Sequence, residues 1–91
     1  MKLKDLLDGI QYQLIQGDPE LEITSIAYDS RKAAEGSLFV CLKGFETDGH
    51  QYIPQAGQAG AAALLVEEEP AELPDVTVVR VEDSRRALAL L

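Results

Sequence analysis

The sequence contains very few of the residues that build covalent cross-links or metal sites. Cysteine and histidine occur once each, as Cys41 and His50. A single cysteine cannot form an intrachain disulfide, and these two residues cannot assemble a structural zinc site from its usual ligands. Cys41 lies within an apolar run and is interpreted as a small core residue. A reduced, cytoplasmic setting is therefore expected.

Basic residues are scarce as well. The chain has 8 Lys and Arg against 16 Asp and Glu, which gives a formal net charge of −8. Nonspecific nucleic-acid binding depends on clustered basic residues, so nucleic acid is not an expected partner. No apolar run reaches the roughly 18 residues of a membrane-spanning helix, and residues 1–6 lack the apolar core of a secretory signal. A membrane is therefore not an expected partner either.

Two glycine-rich nucleotide motifs are also missing. The sequence contains no Gly-x-x-x-x-Gly-Lys-Ser/Thr loop and no Gly-x-Gly-x-x-Gly turn. These loops cradle phosphates in many nucleotide-hydrolysing and dinucleotide-binding proteins. The chain by itself therefore has no recognisable nucleotide-hydrolysing machinery, and we assign it neither a catalytic residue nor a metal ligand.

Apolar periodicity predicts alternating helices and strands. Apolar residues at helical spacing predict a first helix that ends near Gly9, and residues 12–15 can form a short extended segment. Strands are predicted at residues 20–27, 38–42, 61–66 and 76–81. A helix is predicted from near Tyr52 to Gly60, and a final helix begins at a cap formed by Asp83 or Ser84, with Leu88 and Leu91 on its buried face.

This order predicts an α/β fold. The expected architecture is a small three-layer sandwich with a mixed, partly parallel sheet, in which strands 38–42 and 61–66 pair in parallel across a helical crossover. Ninety-one residues suffice for one domain. The chain stops inside the last predicted helix, so residues 1–91 are expected to form one domain of a longer protein.

Polar loops at both ends of strand 38–42 carry the candidate site. Ser30 and Arg31 follow the preceding strand, and a hydroxyl and a guanidinium at a strand exit can donate hydrogen bonds to phosphate oxygens. The alternative is that Ser30 caps a turn and Arg31 pairs with Asp29 or Asp48; both interpretations stay open. Arg31, Lys32 and Lys43 can supply a positive patch for an anionic small ligand.

The loop after strand 38–42 is the second part of the candidate site. Phe45, Glu46 and Thr47 place an apolar ring beside hydrogen-bonding groups, which is what a flat heterocycle needs. Spacing alone favours an ordinary surface loop here.

The remaining polar groups have structural interpretations. His50 is interpreted as a solvated or capping group rather than a base, and residues 67–69 as a solvated acidic loop. Glu82 and Asp83 suit the positive end of the last helix.

Several segments around these residues resemble the N-terminal domain of the Mur ligases, and among them the MurE type. They are Asp29-Ser30-Arg31, Gly36-Ser37-Leu38-Phe39-Val40, Leu42-Lys43-Gly44, Asp48-Gly49-His50 and Tyr52-Ile53-Pro54-Gln55-Ala56. The likeness covers residues 23–66 well, and residues 76–91 look like the segment that leads into that family's ATPase domain.

The resemblance implies a role in peptidoglycan synthesis. In this family the domain holds the UDP moiety of UDP-N-acetylmuramoyl-L-alanyl-D-glutamate. ATP and Mg²⁺ act in a central domain that activates the glutamate carboxyl, and a C-terminal domain helps to bind the diamino acid. Both domains are absent from this chain. Its implied partners are the UDP substrate and the rest of the ligase.

The resemblance also implies which residues contact UDP. By position, Ser30 corresponds to a serine that contacts the uridine diphosphate, with Tyr28 just before it. Residues 45–47 occupy the loop that contacts the nucleotide, and Arg31 and Lys43 are expected to support its phosphate side.

One departure from the family pattern lies in this loop. Some members have His-Gln-Ala where this chain has Phe45-Glu46-Thr47, so only backbone contacts carry over directly. Because the Glu46 carboxylate would repel a pyrophosphate, we expect it at the uracil edge or the ribose. The alternatives are the equivalent domain of the MurF type, whose loop also places Lys-Gly after the strand, and a noncatalytic interaction module.

Overall fold

A computed structural model of the chain describes residues 1–44, 48–70 and 72–91. Its elements, in chain order, are α1 (Leu3–Leu6), β1 (Gln13–Gln16), β2 (Ser25–Ala27), a 3₁₀ turn (Ser30–Lys32), β3 (Ser37–Val40), a second 3₁₀ turn (Gly49–Tyr52), α2 (Ile53–Gln58), β4 (Ala63–Val66), β5 (Thr77–Arg80) and α3 (Ser84–Leu90). None of the described helices is long and apolar enough to cross a membrane.

Within the described residues, five strands form one mixed sheet in the order β1-β5-β4-β3-β2. Strands β2 to β5 run parallel, and β1 pairs antiparallel with β5. Leu38 stands opposite Ala63 in the β3–β4 ladder, as expected for strands joined by a helical crossover. The predicted α/β fold, the mixed sheet and this parallel pair are confirmed.

The apolar runs from Leu38 and from Ala63 belong to β3 and β4, two interior strands of the sheet. All residues of β3 and β4 are buried, and successive side chains enter opposite faces of the sheet. Leu38 and Val40 pack with α1 and α3 on one face, whereas Phe39 packs with α2 on the other. Each such buried side chain contributes roughly 1.5–3 kcal/mol to folding. Helices cover both faces, which makes three layers.

The N-terminal part of the chain differs from its prediction. Strand β2 is only three residues long, because residues 21–23 pair with the N-terminal segment instead of the sheet: the Leu3 amide donates to the Leu21 carbonyl and the Ile23 amide to the Met1 carbonyl. The first helix also ends earlier than expected, at Leu6. The extended segment at residues 12–15 corresponds to β1, a full edge strand of the sheet.

The C-terminal part follows its prediction closely. Helix α2 begins after Tyr52, with Pro54 in its first turn. Asp83 caps α3, and its carboxylate accepts a hydrogen bond from the Arg86 amide at 3.1 Å. Leu88 and Leu91 pack against the core that Ala87 enters.

Candidate functional site

A cleft of about 500 Å³ opens at the carboxyl ends of β2 and β3. Ligands of open α/β sheets commonly bind at this edge, where loops leave neighbouring parallel strands. The cleft is lined by Tyr28, Asp29, Ser30, Arg31, Leu42, Gly44, Gly49, Tyr52 and Arg85. It therefore brings together the two loops on which the sequence placed its candidates.

A larger cleft of about 660 Å³ lies between the end of the α1 segment and α3. Ile10, Val81 and Arg86 are among its lining residues, and none of the predicted site residues is. Of its two adjacent carboxylates, Asp83 is engaged as the helix cap. The smaller cleft is the candidate site, because it alone of these two collects side chains from both loops.

Asp29 organises the entrance of the cleft. Its carboxylate accepts a hydrogen bond from the Arg31 amide at 3.0 Å, which caps the 3₁₀ turn. The interpretation in which Ser30 provides this cap is therefore wrong, and the Ser30 hydroxyl lies at the cleft without that task. Tyr28 precedes them with 60% of its surface exposed, and it is one of two tyrosines, with Tyr52, that line the cleft.

Arg31 pairs with Asp29, as one of the two open interpretations had it. The guanidinium binds the carboxylate through two contacts, Nε to Oδ1 at 3.2 Å and Nη2 to Oδ2 at 2.8 Å. These hydrogen bonds lower the pKa of Asp29 to about 2 and raise the pKa of Arg31. The Arg31 side chain is 87% exposed, so water weakens this ion pair.

Lys43 directs its ammonium away from the residues that line the cleft. Its Nζ forms an ion pair with the Glu68 carboxylate, which raises the pKa of Lys43. Its backbone carbonyl accepts a hydrogen bond from Arg85 Nη2 at 3.2 Å. The predicted phosphate-side role of Lys43 thus stays a prediction.

The candidates Phe45, Glu46 and Thr47 lie outside the described residues. The residues on either side of them are described: Lys43 and Asp48 form an antiparallel bridge, and Gly44 and Gly49 line the cleft. Both ends of this segment are therefore at the cleft.

His50 fixes the end of this loop. Of its two interpretations, the solvated one is wrong, whereas a capping role agrees with the backbone amides from which the ring accepts hydrogen bonds. Its side chain is 11% exposed, and its Nδ1 lies 2.5 Å from an Asp48 carboxylate oxygen. Nε2 accepts hydrogen bonds from the Glu67 and Glu68 amides at 3.1 and 3.3 Å, which assigns the ring proton to Nδ1. Burial raises the pKa of Asp48, and the hydrogen bonds from His50 more than offset this, so the net shift is downward. The ring ties the loop to the end of β4.

Glu67 and Ser84 attach α3 to the same edge of the sheet. The Glu67 carboxylate accepts hydrogen bonds from the Ser84 amide at 2.8 Å and the Ser84 hydroxyl at 3.1 Å. The hydroxyl lies closer, at 2.6 Å, to the Cys41 carbonyl, so its single proton is shared between these two acceptors. Ser84 is buried, and Glu67 is half-buried, so the prediction of a purely solvated acidic loop is wrong for Glu67.

Arg85 and Tyr52 line the cleft although the sequence did not indicate them as site residues. Arg85 follows Ser84 and reaches Lys43 from 42 positions away in the chain. The Asp83-Ser84 cap predicts where α3 begins, but no local pattern indicates the edge of the sheet against which the helix packs.

The cleft has the chemistry of a binding site. It offers two aromatic side chains, a serine hydroxyl and guanidinium N–H donors, which suit a planar base and an anion. Cys41, which precedes the lining residue Leu42, is a buried thiol; burial, with a smaller contribution from the Asp48 charge, raises the pKa of Cys41 to about 12. In the described part of the chain, no group of three His, Cys, Asp or Glu residues is placed to hold a metal ion.

The chain belongs to the Mur ligase family. The family model described as Mur ligase family, catalytic domain, matches residues 22–91, which confirms the resemblance drawn from the motifs. Among curated relatives, the UDP-N-acetylmuramoyl-L-alanyl-D-glutamate--2,6-diaminopimelate ligase of Clostridium perfringens is 44% identical over 91 residues, covering 100% of this chain and 19% of the relative. The ligase of the same name from Bacteroides fragilis is 48% identical over 89 residues, covering 97% and 18%. The chain therefore spans about a fifth of these relatives.

Solved structures with the same fold come from the MurF type. A crystal structure of MurF from Acinetobacter baumannii matches 99% of this chain and 20% of its own, with a TM-score of 0.86 and 30% identity. MurF from Thermotoga maritima, solved in complex with ADP, matches 71% of this chain and 15% of its own, with a TM-score of 0.63 and 32% identity.

Proposed function

We propose that this chain is the N-terminal substrate-binding domain of a MurE-type ligase and holds the UDP moiety of UDP-N-acetylmuramoyl-L-alanyl-D-glutamate. The observation that carries the proposal is the cleft, which gathers Tyr28, Ser30 and Arg31 with both ends of the 43–49 loop. The names of the two curated relatives support the ligase assignment.

Each part of UDP has a matching group in this proposal. Ser30 donates its hydroxyl to a phosphate oxygen, and Tyr28 packs against the nucleoside. Phe45, Glu46 and Thr47 contact the nucleotide from the loop, with the Glu46 carboxylate at the uracil edge or ribose. Arg31 and Lys43 support the phosphate side; each must then share its cation between the ligand and its present carboxylate partner.

The complete ligase divides its chemistry among domains. Residues 1–91 form the substrate-binding domain, and domains beyond this chain use ATP and Mg²⁺ to activate the glutamate carboxyl as an acyl phosphate. The amine of a diamino acid, proposed as 2,6-diaminopimelate because both relatives are named for it, then attacks to form an amide. The contribution of this domain is to hold one reactant in register, which can remove several kcal/mol from a barrier.

Two further aspects belong to the proposal. The setting is the cytoplasm, with which the free, buried thiol of Cys41 agrees.

The second candidate function is the equivalent domain of a MurF-type ligase, which the MurF structures favour. The higher identity to diaminopimelate ligases favours the MurE type.

A titration followed by amide NMR shifts tests the proposal. We expect millimolar UDP to shift the amides of Tyr28, Ser30 and residues 45–47, and to leave α1 and β1 unchanged. ADP is the control, because it carries the same diphosphate on a larger base and should give smaller shifts.

The outcome of a failed UDP titration is also informative. If only the UDP-N-acetylmuramoyl dipeptide binds, the sugar and peptide arms provide the missing affinity and the proposal stands. Failure of both ligands would contradict it and would leave the noncatalytic interaction module.

A further inference from the structure

Two arginines, Arg31 and Arg85, line the cleft, and Lys43 lies between two of the other lining residues in the chain; the partners of these three basic side chains differ. Arg31 is paired with the Asp29 carboxylate, and Lys43 with the Glu68 carboxylate. Arg85 donates from Nη2 to a backbone carbonyl, which is an uncharged acceptor. Among the described residues, no carboxylate lies within ion-pair distance of Arg85. Of these three basic side chains, Arg85 is therefore the one whose charge no described carboxylate neutralises.

The position of Arg85 is fixed by its neighbour. Ser84 is 1% exposed and is held between the Cys41 carbonyl and the Glu67 carboxylate, so the first turn of α3 is attached to the ends of β3 and β4. Arg85 itself is exposed and lines the cleft. A guanidinium on a well-anchored backbone loses little freedom when it binds a ligand.

The free donors of Arg85 match a phosphate. A guanidinium has five N–H groups in a planar fork, and the bond to the Lys43 carbonyl uses one of them. The remaining donors can bind phosphate oxygens in the bidentate manner typical of arginine. In a chain with a net charge of −8, a dianionic ligand needs such a local cation.

We propose that Arg85 is a diphosphate-binding residue of this cleft and contacts the phosphates of the UDP moiety together with Ser30. The inference rests on the proposed function, because it takes UDP as the ligand. It adds a cationic contact from α3 to a site otherwise built from the loops that follow β2 and β3. Its bond to the Lys43 carbonyl also connects the same guanidinium to the backbone that directly follows Leu42.

The next residue along the helix provides a matched control. Arg86 has the same charge and is likewise exposed, but it lines the larger cleft beside Ile10 and Gln11. Arg85→Gln and Arg86→Gln change the net charge equally. Any difference between them therefore reports position and not overall charge.

The test compares the affinities of wild type, Arg85→Gln, Arg85→Lys and Arg86→Gln for UDP and uridine, measured by NMR titration. The UDP-N-acetylmuramoyl dipeptide replaces UDP if only the full substrate binds. Arg85→Gln should weaken binding of the diphosphate ligand about tenfold or more, as expected for lost charge-assisted hydrogen bonds. The affinity of Arg85→Lys for this ligand should lie between those of wild type and Arg85→Gln, and the affinity of Arg86→Gln should equal that of wild type. Uridine, which lacks the phosphates, should bind all four proteins equally.

The outcomes separate the inference from the function on which it rests. If wild type binds UDP and Arg85→Gln binds it equally well, Arg85 has no phosphate role and the proposed function stands. If Arg85→Gln weakens UDP and uridine by the same factor, the residue shapes the cleft and does not read the phosphates, which also overturns the inference. If wild type binds neither UDP nor the full substrate, the proposed function fails. Arg85→Lys retains the charge and serves as the folded comparison if Arg85→Gln is unstable.

Discussion

Asp29 has two tasks at the exit of β2. It caps the 3₁₀ turn through the Arg31 amide and binds the Arg31 guanidinium with both carboxylate oxygens. One ionised side chain thus fixes the backbone that presents Ser30 and holds the neighbouring cation in place. Both tasks depend on its negative charge.

The first prediction concerns acid stability. The pKa of Asp29 is about 2 in the folded chain, against an ordinary value of 3.8. Because the folded-state pKa is the lower one, the ionised form stabilises the fold; this contribution is complete above pH 4 and is lost as the pH falls to about 2. Asp29→Asn should therefore flatten part of the acid-side loss of stability, measured by urea unfolding between pH 5 and pH 2.

The control for this experiment is Asp8→Asn, which changes an exposed carboxylate that has no ion-pair partner among the described residues. We expect it to leave the pH profile close to that of wild type. A profile of Asp29→Asn that superimposes on wild type would show that the ion pair contributes nothing, as happens for many exposed pairs.

The sequence predicted the position of a cleft residue where neighbouring residues in the chain determine that position. Tyr28, Ser30 and Arg31 follow one another at a strand exit, and the strand pattern alone brings them to the edge of the sheet. Arg85 reaches the cleft only because Ser84 bonds to Cys41, 43 residues earlier. For His50 the sequence left a solvated and a capping role open, because the amide of Glu67 that donates to its ring lies 17 residues away.

At the scale of elements, the sequence predicts the buried strands β3 and β4 clearly, whereas it gives only a weak signal for the edge strand β1. Residues 38–40 and 63–66 are buried on both faces, so they are apolar throughout and short. Strand β1 reads Gln-Leu-Ile-Gln and is half exposed, which gives almost no periodic signal. Its pairing with β5 depends on residues more than 60 positions away, which local propensity does not report.

The second prediction concerns the turn that ends β1. Gly17 has a φ of +91°, and a Cβ there would lie 2.5 Å from Thr77 Cα of β5. Gly9 has a similar φ of +84° with nothing within 4 Å of the equivalent Cβ. Gly9→Ala should therefore cost about 1–2 kcal/mol through backbone strain alone. Gly17→Ala should cost a further 1–3 kcal/mol or so, because the backbone of β5 must move.

Denaturant unfolding of the two variants measures this difference directly. Their φ angles are nearly equal, so the strain term largely cancels and the remainder reports the contact between β1 and β5. If both variants lose the same free energy of unfolding, the backbone near Thr77 moves away from the added Cβ without destabilising the fold.

For the molecule as a whole, Cys41 is a probe of global unfolding. The thiol is fully buried, and burial is the main cause that raises its pKa to about 12. Thiolate, not thiol, reacts with alkylating and disulfide reagents. We expect negligible labelling at pH 8 in native buffer and rapid labelling in denaturant.

The labelling rate across denaturant concentrations should follow the unfolding curve measured by circular dichroism, because Cys41 is fully buried directly after β3. Complete native-state labelling within minutes would show that the edge carrying the cleft opens on its own.

The overall architecture was predictable because strand and helix patterns alternate, and a helical crossover enforces parallel pairing of β3 and β4. The register and the position of β1 were not. They depend on which edge of the sheet remains open after β2 to β5 have assembled, a property of the completed layer and of no single segment.

The pairing of β1 with β5 also has a consequence in time. Leu14 stands opposite Val79, so β1 leaves the ribosome roughly 65 residues before its partner. At about 5–20 residues per second, this separation corresponds to about 3–13 s. Throughout that interval a segment with Leu14 and Ile15 lacks the strand it pairs with, and an unpaired strand can associate with other nascent chains. The late arrival of β5, the partner of the edge strand β1, therefore defines the interval in which a newly made chain most needs a chaperone.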